Sequence, residues 1–600
     1  MNFEGRAFVA GFFLSVIIAG CGGGSEGGNV GLINPTPVVI VSANTQNVLE
    51  GDTVAITWSS TNASSCSASG SWSGQLSSSG TQSPAAVSAG SNTYTVSCTN
   101  GSATANSSVI VFANPSETFT GKIYSRIESA SFNSNDVSPT LLSGVTISSG
   151  VRTFQSDSNG NFSGIISTKV LATDTLNFSK NGYIPISIAR SLIDNGNPPS
   201  NIGIYSAPNV NSRPGFIGGV FTMDAGGDLN TIYNSGLFPA TYNRTKTKIG
   251  ANLVAVSDPV WVESYDAASA TVRMSSTSSI PMLTRQQYTT LVSLAHGNNM
   301  KFMMQLGLYP AGNLQLPWSV PADNNAFWTA WFNSYKAIAV QYAQIAKDLN
   351  IEYISLGMNH GFMSSLPFSY WSDLIVAIRN TGYSGQIVYQ AGTNPGYDSE
   401  TDGFNMASSD PSLTAQQKQL QFAGLFDSII LNVYNIAAKS GSANSISRSE
   451  MRTAFTAVLN KLTHYPVPLM VQIGTPSVIG GAVNTDYIEP CVVCNSIAPM
   501  KTMDLMQQAD VYQAIAEVIN STPTGNGNVM GLLSWGYWFT DNFRANVTAE
   551  STGINADGTL VDFKGYIGNP NLIAAYDKSA NIRGKPAESI LGWWVGKFTQ

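Results

Sequence analysis

Charged side chains are scarce in this chain: Asp, Glu, Lys and Arg supply only 11% of its 600 residues, and the formal net charge is −7. No basic run or patch is present, so nucleic acid is not an expected partner. Histidine is rarer still, with three in all, and no grouping of His, Cys, Asp and Glu has a metal-ligand spacing, so neither a metal nor another cofactor is expected. Nothing downstream of the N-terminus is apolar over the roughly 20 residues that a membrane-spanning helix needs. What the chain has instead is Ser, Thr, Asn and Gly in abundance with 10% aromatics, a balance typical of secreted proteins. Its length implies several domains, at about 100–200 residues each.

The first residues run from Met1 through an apolar stretch, Ala7 to Ala19, into "IAGC" and then "GGGSEGG". This resembles a bacterial lipoprotein signal, with residues 1–20 removed, Cys21 lipidated and residues 21–35 a flexible tether; an ordinary secretory signal is the simpler alternative. The n-region carries only Arg6, offset by Glu4. The lipid would make the membrane a partner and the bacterial cell envelope the location. Gly22 lacks the Asp that commonly retains lipoproteins at an inner membrane, which favours the outer one. With Cys21 assigned to lipid, Cys66 with Cys98 and Cys491 with Cys494 form an even set suited to an oxidising compartment. The lone C-x-x-C of "EPCVVCN" admits a redox or zinc reading, but no second pair or histidine cluster accompanies it, which favours a small loop-closing disulfide.

Residues 36–113 show short alternating runs ("TVAITWSS", "NTYTVSCT", "SSVIVFA") between Gly, Ser and Asn clusters, the pattern of a small antiparallel sandwich stapled by Trp58 and the Cys66/Cys98 pair. The segment resembles bacterial immunoglobulin-like spacer domains. A second β unit, 117–206, has turn signals at Asp157–Phe162 and Lys180–Tyr183 and resembles the carboxypeptidase regulatory-like, transthyretin-like fold. From about Arg213 short apolar runs alternate with long amphipathic stretches, which predicts a parallel α/β architecture. Candidate strands are "GFIGGVFT", "GANLVAVS", "KFMMQLG", "EYISLG", "GQIVYQA", "SIILNV", "PLMVQIG" and "VMGLLSW", with helices over 283–297, 326–349, 369–380, 414–424, 447–462 and 504–520. The expected fold class is therefore multidomain: two N-terminal β-sandwich domains followed by a (β/α)8 TIM barrel over 213–600, with its site at the strand C-termini.

The stretches "GANLVAVSDPVWVES", "LVSLAHGNNMKFMMQLG", "WSDLIVAIRNTGYSGQIVYQAG" and the closing "NIRGKPAESILGWW" resemble clan A glycoside hydrolases, and among them family 113, whose known members are β-mannanases. That family has "G-T-E" after strand four, with Glu as acid/base, and "T-E-I-G" at strand seven, with Glu as nucleophile. Here the matching positions read Gly357-Met358-Asn359 and Val471-Gln472-Ile473-Gly474. In another register, His360 takes the acid/base position. A retaining glycosidase needs one carboxyl that donates a proton and a second, roughly 5 Å away, that attacks the anomeric carbon. Asn359 and Gln472 keep the hydrogen-bonding shape without the charge or the proton.

The remaining strand ends suit a sugar. Trp535 and Trp538 stand where the resemblance places an aromatic under the subsite nearest the scissile bond, and Trp261, Tyr309, Asn394, Asn432 and Tyr434 follow predicted strands, where aromatic faces stack on pyranose C–H groups and amides bind hydroxyls; ordinary barrel-top packing is the alternative for each. Six further acids around the rim, Asp224, Asp258, Glu263, Asp398, Glu400 and Asp541, are the candidates for a relocated carboxylate pair, against a reading as caps and turn formers. The expectation is a lipid-anchored extracytoplasmic protein whose barrel binds polysaccharide or oligosaccharide without standard retaining catalysis. The alternatives are an active glycoside hydrolase on mannan-like or exopolysaccharide chains, and a structural or assembly protein.

Overall fold

The computed structural model describes residues 35–600 apart from 85, 127–139, 151, 169–174, 194–201, 224–232, 234–237, 278–280, 312–313, 318, 358–365, 392–411, 437–445, 484–503 and 538–579. Two compact units divide at Pro115/Ser116. The first holds a three-stranded sheet (Val38–Ala43, Ile56–Thr61, Ser79–Gln82) and a five-stranded one (Asn47–Leu49, Thr104–Asn114, Gly90–Thr99, Ser65–Gly70, Gly74–Leu76). Strict alternation along Gly90–Thr99 turns Asn92, Tyr94, Val96 and Cys98 inward. Trp58 meets the edge of Trp72 at 5.6 Å, and Trp72 meets Tyr94 at 5.9 Å. The expected Cys66–Cys98 disulfide is present. The two cysteines face each other on neighbouring strands of the five-stranded sheet, so the bond ties strand to strand rather than sheet to sheet.

The second unit opens with two more sheets. One is built from Arg152–Gln155, Thr146–Ser149, Thr175–Ser179 and Ile186–Ala189, the other from Asn161–Ser167, Ser116–Ser125 and Ile202–Ile204. At the turn between Arg152–Gln155 and Asn161–Ser167 the Asp157 carboxylate accepts the backbone N–H groups of Asn161 and Asn159, at 2.8 Å each. Those bonds, Asn161's foremost, hold its pKa below the usual range and mark it as a turn former. This β module packs directly on the barrel. Its Arg126 pairs with Asp510, whose carboxylate also accepts the Tyr205 hydroxyl at 2.7 Å, and Ser187 N–H donates to Ser589 Oγ at 2.9 Å.

In the barrel each strand is followed by its helix: β1 (Ile217–Met223), α1 (Phe238–Arg244), β2 (Leu253–Asp266), α2 (Arg285–Gly297), β3 (Lys301–Pro310), α3 (Asn325–Asp348), β4 (Tyr353–Leu356), α4 (Phe368–Asn380), β5 (Gln386–Ala391), α5 (Ala415–Ala423), β6 (Ser428–Val433), α6 (Arg448–Leu462), β7 (Leu469–Ile473), α7 (Leu505–Ser521), β8 (Val529–Ser534) and α8 (Pro586–Phe598). Neighbouring strands run parallel in the order β1-β8-β7-β6-β5-β4-β3-β2, and the further pairing of β1 with β2 closes the ring. Helix starts are fixed locally by reciprocal side-chain caps, Thr284 with Gln287, Thr414 with Gln417 and Ser447 with Glu450. Most of the helices then bury one face on the strands, while α7 is buried on nearly all sides. On α3 that face carries Phe327, Trp328, Trp331, Phe332 and Tyr335.

Two features go beyond the expected pattern. α1 is short and continues into a π-helical turn, Thr245–Ile249, that ends at Gly250 in the left-handed region. β2 runs on for 14 residues and pairs with an added antiparallel strand, Thr271–Ser275, through a bulge at Val262/Ser264, while β3 follows it out to Pro310. β2 and β3 thus stand above the other strand ends as a wall.

Candidate functional site

The barrel interior changes character one pleat from its mouth. Ala255, Met303, Tyr353, Val388, Ile430, Met470 and Leu533 fill it with apolar side chains. Two residues further along the same strands stand Ser257, Gln305, Ser355, Gln390, Asn432 and Gln472, all buried, with Trp535 just past the end of β8. Interior residues of alternate strands share a layer in such barrels, and the pairing registers put Phe221, Gln305, Gln390 and Gln472 of β1, β3, β5 and β7 in one of them. Gln390 Nε2 ties the layer together, donating to Gln472 Oε1 at 3.3 Å and to Asn432 Oδ1 at 2.8 Å.

The three glutamines of this layer are not fully satisfied among the described residues. Among the described residues, both polar atoms of Gln305, Ser355 Oγ, Gln390 Oε1 and Gln472 Nε2 have no hydrogen-bond partner. An unmet buried polar group costs about 1–3 kcal/mol. Gln472 stands at the interior end of β7, with Oε1 accepting from Gln390 and Nε2 without a partner among the described residues. Gly357 closes β4 at φ +91°, and a Cβ there would lie 2.5 Å from the Tyr389 ring, so no side chain fits at that step.

The candidate acids within the described residues do not enter these layers. Asp258 follows Ser257 and so points the opposite way, into the helix layer, where it accepts the Tyr288 hydroxyl at 2.6 Å and the Leu283 N–H at 3.2 Å. Burial pushes its pKa up to about 7, against the pull of those two bonds. Glu263 lies at the β2 bulge, 2.6 Å from Arg273 on the added strand. Asp224, Asp398, Glu400 and Asp541 lie outside the described residues, as do Asn359, His360, Asn394, Trp538, Cys21, Cys491 and Cys494. Among the described residues no group of three or more His, Cys, Asp or Glu is placed to hold a metal ion.

The candidate aromatics are better placed. On the wall, Trp261 and Tyr309 are cross-strand neighbours with ring centroids 5.9 Å apart, both half-buried. Tyr434, half-buried, lies against Gly474, where a Cβ would come within 2.5 Å of its ring. Trp535 is buried with its ring 5.0 Å from Phe221, and its backbone N–H donates to Ile473 O at 2.8 Å, so it forms part of the floor.

Gln305, Ser355 and Gln390 were not among the residues expected at the site. The signal was present: "MMQLG", "YISLG", "VYQAG", "ILNVY" and "MVQIG" each place a single polar residue two positions before a Gly or Tyr at the end of an apolar run.

A model of Glycoside Hydrolase Family 113 matches residues 316–406, from just before α3 to beyond β5. Solved structures similar to this chain include a family 113 β-1,4-mannanase complex, with 17% identity and TM-score 0.40, over 64% of this chain and 99% of that one. A family 113 β-mannanase from Alicyclobacillus acidocaldarius gives 16% and 0.41, over 64% and 98%. An exo-β-1,4-mannosidase from Opitutaceae bacterium strain TAV5 gives 13% and 0.33, over 61% and 62%. No curated protein matches the chain. The C-terminal part of the chain is a glycoside-hydrolase-like (β/α)8 barrel with a match to family 113 over 316–406.

Proposed function

We propose that this protein is a lipid-anchored component of the bacterial cell envelope whose barrel binds a polysaccharide and does not hydrolyse it by the retaining mechanism. The observation that carries the reading is Gln472. At the interior end of β7, where the resemblance calls for the nucleophile, stands a neutral carboxamide held by another amide, Gln390. A carboxamide has no negative charge with which to attack an anomeric carbon. Asn359, the position expected for the acid/base, is likewise an amide. The half-buried rings of Trp261, Tyr309 and Tyr434 supply apolar faces of the kind that stack on pyranose rings. The match to a glycoside hydrolase family over 316–406 supports sugar as the ligand.

The test uses the full chain in affinity electrophoresis against mannan, together with an assay for reducing ends. Retention without release of reducing ends is expected. Asn359→Glu combined with Gln472→Glu should then release them, because the pair restores both carboxyls to a site still shaped for sugar. Reducing ends released by the unmodified chain, and lost on replacing one rim acid, would instead establish an active hydrolase with relocated carboxylates. Labelling of the intact protein with a radioactive fatty acid, abolished by Cys21→Ala, tests the anchor.

A further inference from the structure

We propose that the glutamine layer beneath the mouth selects an uncharged, hydroxyl-bearing sugar unit and rejects its uronate and amino-sugar counterparts. The inference rests on the reading of the barrel as a carbohydrate binder and adds which glycans it takes. Gln305 presents an unpartnered donor, Nε2, and an unpartnered acceptor, Oε1; Gln472 adds a donor at Nε2, Gln390 an acceptor at Oε1, and Ser355 a hydroxyl that serves as either. All four side chains are essentially fully buried, with relative exposures of 0–1%.

A hydroxyl group is both donor and acceptor, so it satisfies such a mixed set whichever way it approaches. A carboxylate only accepts. It would satisfy Gln305 Nε2 and Gln472 Nε2 while pressing its charge on Gln390 Oε1, and among the described residues neither this layer nor the interior positions next to it supply a cation. An ammonium only donates, and it would meet the same problem in reverse. Burying either ion without a counter-charge costs far more than burying a hydroxyl. Asp258, next to the interior Ser257 on β2, is turned out of the barrel towards Tyr288 and cannot serve as that counter-charge.

The experiment measures binding of the full chain by calorimetry to three hexamers: β-1,4-mannohexaose, the β-1,4-linked mannuronate hexamer, which differs from it only at C6, and the glucosamine hexamer of chitosan. Mannohexaose should bind at least tenfold more tightly than either charged hexamer. Gln305→Leu, which keeps the volume and removes both free polar atoms, should weaken mannohexaose about tenfold or more. Gln305→Glu should shift the preference towards the glucosamine hexamer, a change that a merely structural glutamine would not produce. The near-ultraviolet circular dichroism of each variant shows that the barrel is folded. Equal binding of mannuronate and mannose hexamers, or unchanged affinity in a folded Gln305→Leu, overturns the inference while leaving sugar binding in place; a layer that holds only buried water gives that second result. Failure of the unmodified chain to bind any of the three, or mannan, removes the carbohydrate reading itself.

Discussion

Asp258→Asn probes the wall of the barrel through its pH dependence. The Asp258 side chain is wholly buried between β2 and α2, with the Tyr288 hydroxyl at 2.6 Å and the Leu283 N–H at 3.2 Å as its bonds. Burial disfavours the charged form more than those two donors favour it, and the pKa rises from 3.8 to about 7. In the unfolded chain the group loses its proton near its ordinary value; in the folded chain it keeps the proton until about neutrality. The unfolded state therefore binds fewer protons across this window, and stability falls as pH rises. The contribution is fully present below about pH 4 and is lost as pH climbs through about 7. At about 1.4 kcal/mol per pKa unit, a shift of roughly 3 units amounts to about 4 kcal/mol. The side chain of Asn is nearly the same shape and does not titrate, so the variant removes the slope whatever it does to the intercept. The assay is denaturant unfolding of the full chain, following the barrel transition by tryptophan fluorescence, from about pH 4.5 to about pH 8. Relative to Asp258→Asn, the unmodified chain should lose about 3 kcal/mol over that range. Parallel curves would refute the reasoning, and a relative gain with pH would mean that Tyr288 and Leu283 stabilise the carboxylate more than burial opposes it.

Two further outcomes follow from the packing. Arg126→Met strands the buried Asp510 carboxylate, which keeps only the Tyr205 hydroxyl among its described partners, and should cost about 3–5 kcal/mol in calorimetry of the second unit; adding Asp510→Leu should recover most of it, because an apolar pair of similar volume replaces a buried ion pair at little cost. Gly474→Ala places a methyl group 2.5 Å from the Tyr434 ring, so the ring must move by roughly 1 Å to regain van der Waals distance. Mannan retention in affinity electrophoresis should fall while the far-ultraviolet circular dichroism stays unchanged; full retention would remove Tyr434 from the site.

Helices were legible because their signals are local. The expected spans 283–297, 326–349 and 447–462 became Arg285–Gly297, Asn325–Asp348 and Arg448–Leu462, each start lying within a residue or two of a polar cap followed by an amphipathic run. α1 escaped because "FPATYNR" is short, carries Pro239 in its first turn and passes into a π-helical turn rather than a second helical repeat. The added strand Thr271–Ser275 escaped for a different reason. Its partner is the far end of β2, which the sequence had suggested would stop at Ser257, and only the wall formed with β3 gives five residues of "TVRMS" something to pair with.

The site was harder to read than the fold, for a reason intrinsic to parallel strands. Each barrel strand is covered on both faces, by the interior on one side and the helices on the other, so it appears in sequence as an unbroken apolar run, without the alternation that would reveal which residues point where. Ser257 and Asp258 make the consequence concrete. They are adjacent and both polar, and the sequence singled out the acid. The register sends the serine to the interior and the acid to the helix layer, because a shift of one residue exchanges the two faces. Once that parity is known, Gln305, Gln390 and Gln472 stop being isolated polar residues in three strands and become one layer. An apolar layer there would make a more stable barrel, since it would leave no donor or acceptor unmet. Three buried glutamines with unmet atoms oppose stability at the open end of a barrel whose next layer down is Met303, Val388 and Met470. On the proposed reading, the contrast between those two layers, one pleat apart, puts sugar binding at the upper one. On that same reading the amide character of the layer favours binding over bond cleavage, because the groups proposed to hold a sugar hydroxyl cannot attack its anomeric carbon.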